Sequence, residues 1–262
     1  MFSDFTNSTR PVLAVRSAVE SNRFGIKIDR MNIPQRSEVT DQQVADLCRL
    51  SDADLIVLRF PKERCDLPGL ISVIEHRDAF LADELVYYSR PIIVPEDLLN
   101  VSSEYECEVA DEKHRGAIED FAQVVFTNYR SHYRANPKLN RDSILKGYIE
   151  WAVSGLDCSK KTTSLVLDAS KRIVGFALVA VDGDNAEIEL NGVLPEYQGR
   201  GVFGLQLDWL NSHFARRNVK ELVISTQIEN VNAIKAWIKS GFQFEFSLST
   251  YHIMKLQLSC DS

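Results

Sequence analysis

Nine residues, Val193, Leu194, Pro195, Glu196, Tyr197, Gln198, Gly199, Arg200 and Gly201, set the tightest limit on what this chain can fold into. An apolar strand pattern runs into a tight glycine-containing loop, and the loop runs into a helix. The first backbone N–H groups of a helix have no intrahelical acceptor, and the helix dipole adds positive partial charge there. Glycine lets an anion approach, because a Cβ would collide with it. The segment reads as a pyrophosphate cradle formed by Gln198, Gly199, Arg200, Gly201, Val202, Phe203 and Gly204. The plain alternative is a helix start after a glycine turn, with no ligand. No Gly-Lys-Ser/Thr follows, so this is not a P-loop, and the spacing is not that of a GxGxxG dinucleotide fingerprint.

A second element lies downstream. A strand end leads to Asn230, then a helix through Ala233 and Trp237, then Gly241-Phe242. Together the two elements resemble the GNAT acyltransferase superfamily. Its first loop is Gln/Arg-x-x-Gly-x-Gly/Ala, and its second is Asn-x-x-Ala-x-x-x-Tyr-x-x-x-Gly-Phe. The similarity covers roughly residues 105–258. Two positions depart from the pattern. Phe203 stands at the sixth position of the first motif, with Gly204 next. Trp237 stands where the family carries a Tyr proposed to protonate the leaving thiolate, and an indole N–H is no acid for that task.

The resemblance implies an acyl-CoA-dependent N-acyltransferase, with acyl-CoA as co-substrate and no metal. Acyl-CoA would lie where the strand ending at Val193 splays from the strand ending at Ser225. A bulge at Asn191-Gly192 is expected to open that gap. The Val193 N–H would stabilise the thioester oxyanion. Asn230 would hold the pantetheine arm, and Trp237 would pack beside the thioester. An amine must be neutral to attack, so a base is useful. Glu189 is the strand carboxylate nearest the splay, although an outward, solvated strand position explains it as well. Asn191 joins Val193 and Glu189 as a candidate catalytic position, and proximity with the oxyanion donor is an alternative source of rate.

The N-terminal segment narrows the family. Glu20, Ser21, Phe24, Gly25 and Ile28 resemble the E-S-x-F-F-G-x-x-I start of bacterial dTDP-sugar N-acetyltransferases, such as the type acting on dTDP-fucosamine. That group places a small truncated α/β domain before the GNAT domain. It also places its acceptor near His132-Tyr133-Arg134 and Tyr148-Trp151. Tyr133, Tyr148 and Trp151 would stack on a thymine or sugar ring, and Arg134 would meet a diphosphate. Core packing of Tyr148 and Trp151 is the alternative. His132 is a candidate for proton transfer, because an unperturbed imidazole titrates near 6.5. The stretch from Asn128 to Trp151 carries Arg130, Arg134, Lys138, Arg141 and Lys146 against Asp142 and Glu150, with Tyr129 among its aromatics. Its positive charge favours an anionic acceptor, a nucleotide-linked amino sugar of surface polysaccharide such as O-antigen. Other GNAT acceptors (a protein N-terminus, a polyamine, an antibiotic) and a non-catalytic CoA-binding module are the alternatives.

Composition bounds the rest. With 30 Lys and Arg against 37 Asp and Glu, the net charge of −7 argues against non-specific nucleic-acid binding. No apolar run approaches the ~20 residues of a membrane-spanning helix, and Met1 to Glu20 lacks the apolar stretch of a secretory signal. Cys48, Cys65, Cys107, Cys158 and Cys260 are odd in number and show no metal spacing, which suits a reduced, cytoplasmic protein. A homodimer is compatible with these features.

The organisation expected is an α/β (α+β) chain. A GNAT fold over 104–262, with a mixed, mostly antiparallel sheet flanked by helices, follows a smaller α/β domain over 1–103. The boundary falls in the Pro- and Ser-containing stretch from Pro91 to Tyr105. In the first part the patterning gives strands at Pro11–Val15, Phe24–Ile28, Asp54–Phe60 and Leu81–Tyr88. It gives helices at Val39–Leu50, capped by Asp41, and at Leu67–Arg77. In the second part it gives helices starting at Asp111 and Asp142, a strand at Glu106–Val109, and strands at Thr163–Asp168, Ile173–Val181 and Ala186–Val193. A helix near Gly201–Arg217, a strand Glu221–Ser225, a helix Asn230–Ser240 and two last strands, Phe244–Phe246 and Tyr251–Leu258, complete it.

Overall fold

A computed structural model describes residues 2–6, 11–93 and 104–256. Its elements begin with α1 (Ser3–Thr6), β1 (Val15–Arg16), α2 (Ala18–Phe24), β2 (Ile28–Asn32), α3 (Asp41–Leu50), β3 (Leu55–Pro61) and α4 (Leu67–Ser72). Then come β4 (Arg77–Pro91), β5 (Tyr105–Val109), α5 (Arg115–Phe126), α6 (His132–Ala135), α7 (Arg141–Val153), β6 (Lys161–Asp168), β7 (Ile173–Asp182) and β8 (Asn185–Val193). The last four are α8 (Val202–Ala215), β9 (Glu221–Gln227), α9 (Val231–Lys239) and β10 (Gln243–Lys255).

The chain forms two compact units that interleave in sequence. The first takes Met1–Val86, Arg130–Ser143 and Phe246–Ser262, and the second takes Tyr87–Tyr129 and Ile144–Glu245. The division therefore falls after Val86 rather than between Pro91 and Tyr105, and most of that expected boundary lies outside the described residues. So do Cys260 and the expected strand end at Leu258.

In the first unit the strand order is β1-β2-β3-β10-β4. β2 and β3 run parallel, while β1 and β10 are antiparallel to their partners. Helix α3 starts at a capping box in which Thr40 Oγ1 accepts from Gln43 N and Gln43 Oε1 accepts from Thr40 N. The cap is thus Thr40, one residue before the expected Asp41. Val44 and Cys48 fall on one face and pack into a core with Met31, Ile56, Leu58 and Ile253. The expected strand Phe24–Ile28 is instead the end of α2. Ser17 Oγ caps that helix from Glu20 N, and Gly25, at φ 69°, returns its N–H to Ser21 O. A helix stop, a left-handed glycine and a strand start produce the same alternating pattern as a short strand. The strand Pro11–Val15 reduces to Val15–Arg16, α4 ends at Ser72, and β4 is longer than expected at both ends.

Two sets of polar groups are paired inside this unit. Glu20 takes a two-pronged bond from Arg30 and a bond from the Tyr133 hydroxyl, and Arg30 Nη2 donates to Tyr133 Oη at 2.8 Å. Burial alone would raise the Glu20 pKa, but the Arg30 pair and Tyr133 bring it down to about 2. Asn136 Nδ2 lies 3.1 Å from His252 Nδ1, and His252 Nε2 lies 2.9 Å from His132 Nδ1. If the amide donates to Nδ1, His252 carries its proton on Nε2 and gives it to His132.

The second unit has the strand order β4-β9-β8-β7-β6-β5. β5 to β8 form an antiparallel meander, and β9 joins β8 in parallel. Asp111 caps a 3-10 turn, Glu112–His114, that leads into α5. Helix α7 starts where Asn140 Oδ1 accepts from Ser143 N, ahead of the expected Asp142. β10 is one unbroken strand where two were expected.

Two helices cover opposite faces of this sheet. Phe121 of α5 meets the Phe176 ring at 5.9 Å between centroids. On α8, Gln206 Nε2 donates to Ser164 O, and a Cβ at Gly175 would lie 2.9 Å from Val202 Cγ1. Gly175 and Phe176 are strand neighbours, so they point to opposite faces. No helix among the described residues is long and apolar enough to cross a membrane.

A pH dependence follows from the first unit. Burial, then Arg59, hold the pKa of His252 down to about 3, and burial holds that of His132 well below 6.5. His213, in the second unit, shifts the same way. The unfolded chain binds protons near 6.5 and the folded chain does not, so stability is full above that pH and falls as pH drops below it. The Glu20 contribution is lost only at lower pH, from about 4.5 toward 2. Urea unfolding should therefore show a loss of at least about 1.4 kcal/mol between pH 6.5 and 5. A flat profile over that window contradicts the buried, neutral histidines.

Candidate active site

The parallel ladder between β8 and β9 covers Asn185↔Glu221 to Ile188↔Ile224 and then stops. β8 continues to Val193 and β9 to Gln227 without further pairing to each other. The cause lies on the other edge of β8. Leu178 of β7 faces Leu190, but Val179 faces Ile188, so Glu189 is an extra residue. An extra residue bends its strand and breaks the ladder. The bulge is therefore at Glu189, not at Asn191-Gly192 as the sequence suggested. Asn191 and Gly192 sit in regular register opposite Ala177 and Phe176.

The exposed edge of β8 now carries an unused donor direction. Leu194 N donates to Val174 O on β7 at 3.0 Å. Successive strand residues turn their backbone groups to opposite edges. The Val193 N–H thus points away from β7, into the split. The Val193 carbonyl, on that same edge, accepts from Gln198 Nε2 at 3.3 Å. Gln198 folds the loop back onto the strand end, a contact that sequence reasoning did not supply.

The cradle is built by two left-handed glycines, Gly199 at φ 76° and Gly201 at φ 82°. Gly201 is the N-cap of α8, and no side chain caps that helix. The first bond into the helix runs from Leu205 N to Gly201 O. The amides of Val202, Phe203 and Gly204 precede it and have no intrahelical acceptor. Most helices fill these donors with a Ser, Thr, Asp or Asn cap. Here a glycine leaves them uncapped, and a Cβ at Gly199, Gly201 or Gly204 would meet nothing within 4 Å. The open volume and the amide donors suit an anion. Arg200 is exposed beside the cradle, its guanidinium 5.5 Å from the Tyr197 ring centre.

The remaining candidates distribute unevenly. Asn230 stands at the N-cap position of α9 without a side-chain capping bond, and its Nδ2 donates to Thr226 Oγ1 at 3.0 Å. Glu189 is ion-paired to Lys161 Nζ at 2.6 Å with its side chain 9% exposed. It is neither solvated nor available as a base while that pair holds. Trp237 is buried with Tyr88 at its edge, and its indole N–H has no hydrogen-bond partner among the described residues. His132, Tyr133 and Arg134 belong to the first unit, Tyr148 and Trp151 to the second. Burial, first, then nearby Arg59, depress the His132 pKa, which corrects the expectation of an unperturbed imidazole. Tyr148 stacks on Phe126 in the core, while Trp151 is 37% exposed. Tyr129, named from sequence only among the aromatics of the basic stretch, donates its hydroxyl to Gln227 Oε1 at 2.7 Å. Among the described residues no cluster of His, Cys, Asp and Glu is placed to hold a metal.

Two glycines separate ligand binding from backbone strain. Gly201→Ala and Gly183→Ala each place a Cβ at a left-handed residue with open space around it. Each should cost about 1–2 kcal/mol of stability. Calorimetry should show CoA affinity falling at least about tenfold, or 1.4 kcal/mol, for Gly201→Ala alone. Equal affinities for the two variants would remove the cradle assignment.

Known proteins bear on this geometry. Residues 126–242 match the model of the Acetyltransferase (GNAT) family. The chain is 22% identical over 206 residues to the spore coat polysaccharide biosynthesis protein SpsD of Bacillus subtilis (strain 168), covering 78% of this chain and 68% of that protein. It superimposes with TM-score 0.63 on a functionally unknown conserved protein from Staphylococcus epidermidis ATCC 12228, at 14% identity and 98% coverage of both chains. With a GCN5-related N-acetyltransferase from Sphaerobacter thermophilus the TM-score is 0.57 at 12% identity, covering 90% of this chain and 75% of the other. At such identities the structures establish the fold. The family match spans the split strands and the uncapped helix, so residues 126–242 carry a GNAT acetyltransferase domain, consistent with an acyl-CoA-dependent N-acyltransferase.

Proposed function

We propose that this enzyme moves an acyl group, acetyl by default, from acyl-CoA to the amine of a dTDP-linked amino-dideoxy sugar used for bacterial surface polysaccharide. The observation that carries the donor half is the glycine-capped start of α8 beside the β8/β9 split. The pyrophosphate of CoA takes the amides of Val202, Phe203 and Gly204, and Arg200 adds a cation. The thioester lies in the split, where the Val193 N–H meets the carbonyl oxygen. As the amine attacks, that oxygen gains negative charge, and a fixed donor stabilises it more in the transition state than in the ground state. The C–S bond then breaks and CoA leaves as thiolate. With Glu189 held by Lys161 and Trp237 lacking an acidic proton, rate comes mainly from positioning and the oxyanion donor.

The acceptor half rests on charge and on likeness. Within the first unit Arg130, Lys138 and Arg141 are exposed, and Arg134 is half-buried, in a chain of net charge −7. Such a local excess of cations suits a diphosphate. The similarity to a polysaccharide biosynthesis protein favours a sugar over a peptide or polyamine. A panel of amino-sugar nucleotides with acetyl-CoA, followed by free-thiol release, tests this reading. Arg134→Ala should raise KM for the nucleotide sugar and leave KM for acyl-CoA unchanged. Thymidine diphosphate alone should raise the melting temperature by mass action. Unchanged KM values together with an unmoved melt at millimolar nucleotide would replace the sugar acceptor with another amine.

A further inference from the structure

The second unit places one phenol at the split from the face opposite α8. Leu178, Phe176, Leu190 and Gly192 share the sheet face that α5 covers, because Phe121 meets Phe176 and a Cβ at Gly192 would lie 2.6 Å from Val125 Cγ1. Ile188 pairs with Val179 and therefore lies on the other face, with its partner Ile224. Counting along β9 by alternation, Thr226 lies on the α8 face and Gln227 on the α5 face. Gln227 is three residues past the last pairing, about 10 Å along the strand. Tyr129 follows the end of α5, its N–H bonded to Phe126 O, and its hydroxyl donates to Gln227 Oε1 at 2.7 Å. Its ring is set edge-on against Phe126 and Tyr148, with centroids at 5.9 and 5.4 Å. A helix end over Gly192 and a hydroxyl bonded to Gln227 thus bracket the opening between the two strands.

We propose that Tyr129 is the residue that receives the acceptor amine, its hydroxyl oxygen taking an N–H of that amine on the face of the split opposite the CoA cradle. This rests on the acyltransferase reading above. With its proton committed to Gln227, the phenol meets a further polar group as an acceptor. An amine held by one N–H turns its lone pair away from that bond, toward the acyl carbon in the split. In the step itself, nitrogen gives its lone pair to the acyl carbon and an N–C bond forms. The C–S bond breaks, sulfur leaves with the electron pair, and the surplus N–H proton passes to solvent. Tyr129 gains and loses no covalent bond. Its contribution is orientation of the nucleophile.

Tyr129→Phe keeps the ring contacts and removes the oxygen. The assay uses acetyl-CoA and the best acceptor that the wild-type enzyme acetylates in the panel. We expect kcat/KM for the amine to fall at least about thirtyfold, KM for acetyl-CoA to stay within about twofold, and the melting temperature to hold. Gln227→Leu, which frees the phenol from its tether, should lose part of the same amine efficiency with the same unchanged acetyl-CoA KM. A thioester with a more acidic thiol should leave the Tyr129→Phe deficit in place, because the defect lies in the nucleophile. Restoration by that thioester would assign the phenol to the leaving group and overturn the proposal. An unchanged kcat/KM for Tyr129→Phe would overturn it also. A wild-type enzyme that acetylates no amine would defeat the acyltransferase reading itself, a result distinct from either of these.

Discussion

The end of the parallel ladder at Ile188 and Ile224 is the constraint on which the site depends. A parallel pair would otherwise saturate the edges of both strands and leave no room for a ligand. One inserted residue, Glu189, ends that pairing and turns the last residues of β8 aside. The Lys161–Glu189 ion pair sits at that residue, with both side chains largely removed from water. Removing one partner would leave a largely buried charge uncompensated, so the pair holds the bulge in one arrangement. The carboxylate that looked suited to base chemistry has a structural partner at the point where the strands part.

The loop that follows leaves uncapped amide donors beside an open strand end, an arrangement suited to an anion. Gln198 returns to the Val193 carbonyl, and Gly199 and Gly201 adopt backbone angles that side-chain-bearing residues rarely take. The chain then enters α8 with its first amides uncapped. Opening of the ladder and exposure of the helix start thus occur within a dozen residues of each other. In the proposed reading, donor binding, an oxyanion donor and the Tyr129 hydroxyl are arranged around one gap.

What the sequence made legible was local. Strand, glycine loop and helix follow from a pattern read over a dozen residues, and the Asn230 helix start and Gly241 helix stop are equally local. The cap of α3 was off by one residue because Thr40 and Asp41 both suit an N-cap, and only the reciprocal bond with Gln43 distinguishes them. What escaped depended on partners far away. The bulge position is set by register against β7, so Asn191-Gly192 looked as suitable as Glu189. His132 looked like a titratable site histidine because its burial beside His252, 120 residues on, leaves no local signal. β10 looked like two strands because Ser247, Ser249 and Thr250 interrupt its apolar pattern, yet Ser249 and Thr250 pair with Phe60 and Arg59 of β3. Tyr129 was legible only as one aromatic of the basic stretch, because its bond to Gln227 joins residues 98 positions apart.

The central claim is that the uncapped amides at the start of α8 and the Val193 N–H hold acyl-CoA. Amide proton–nitrogen correlation NMR during titration with acetyl-CoA tests it residue by residue. The account predicts large downfield shifts for Val202, Phe203 and Gly204, which take the pyrophosphate, and a shift at Val193 that acetyl-CoA produces and a truncated nucleotide, adenosine diphosphate, does not. Saturable binding of acetyl-CoA that leaves these four amides unmoved while shifting others would contradict it.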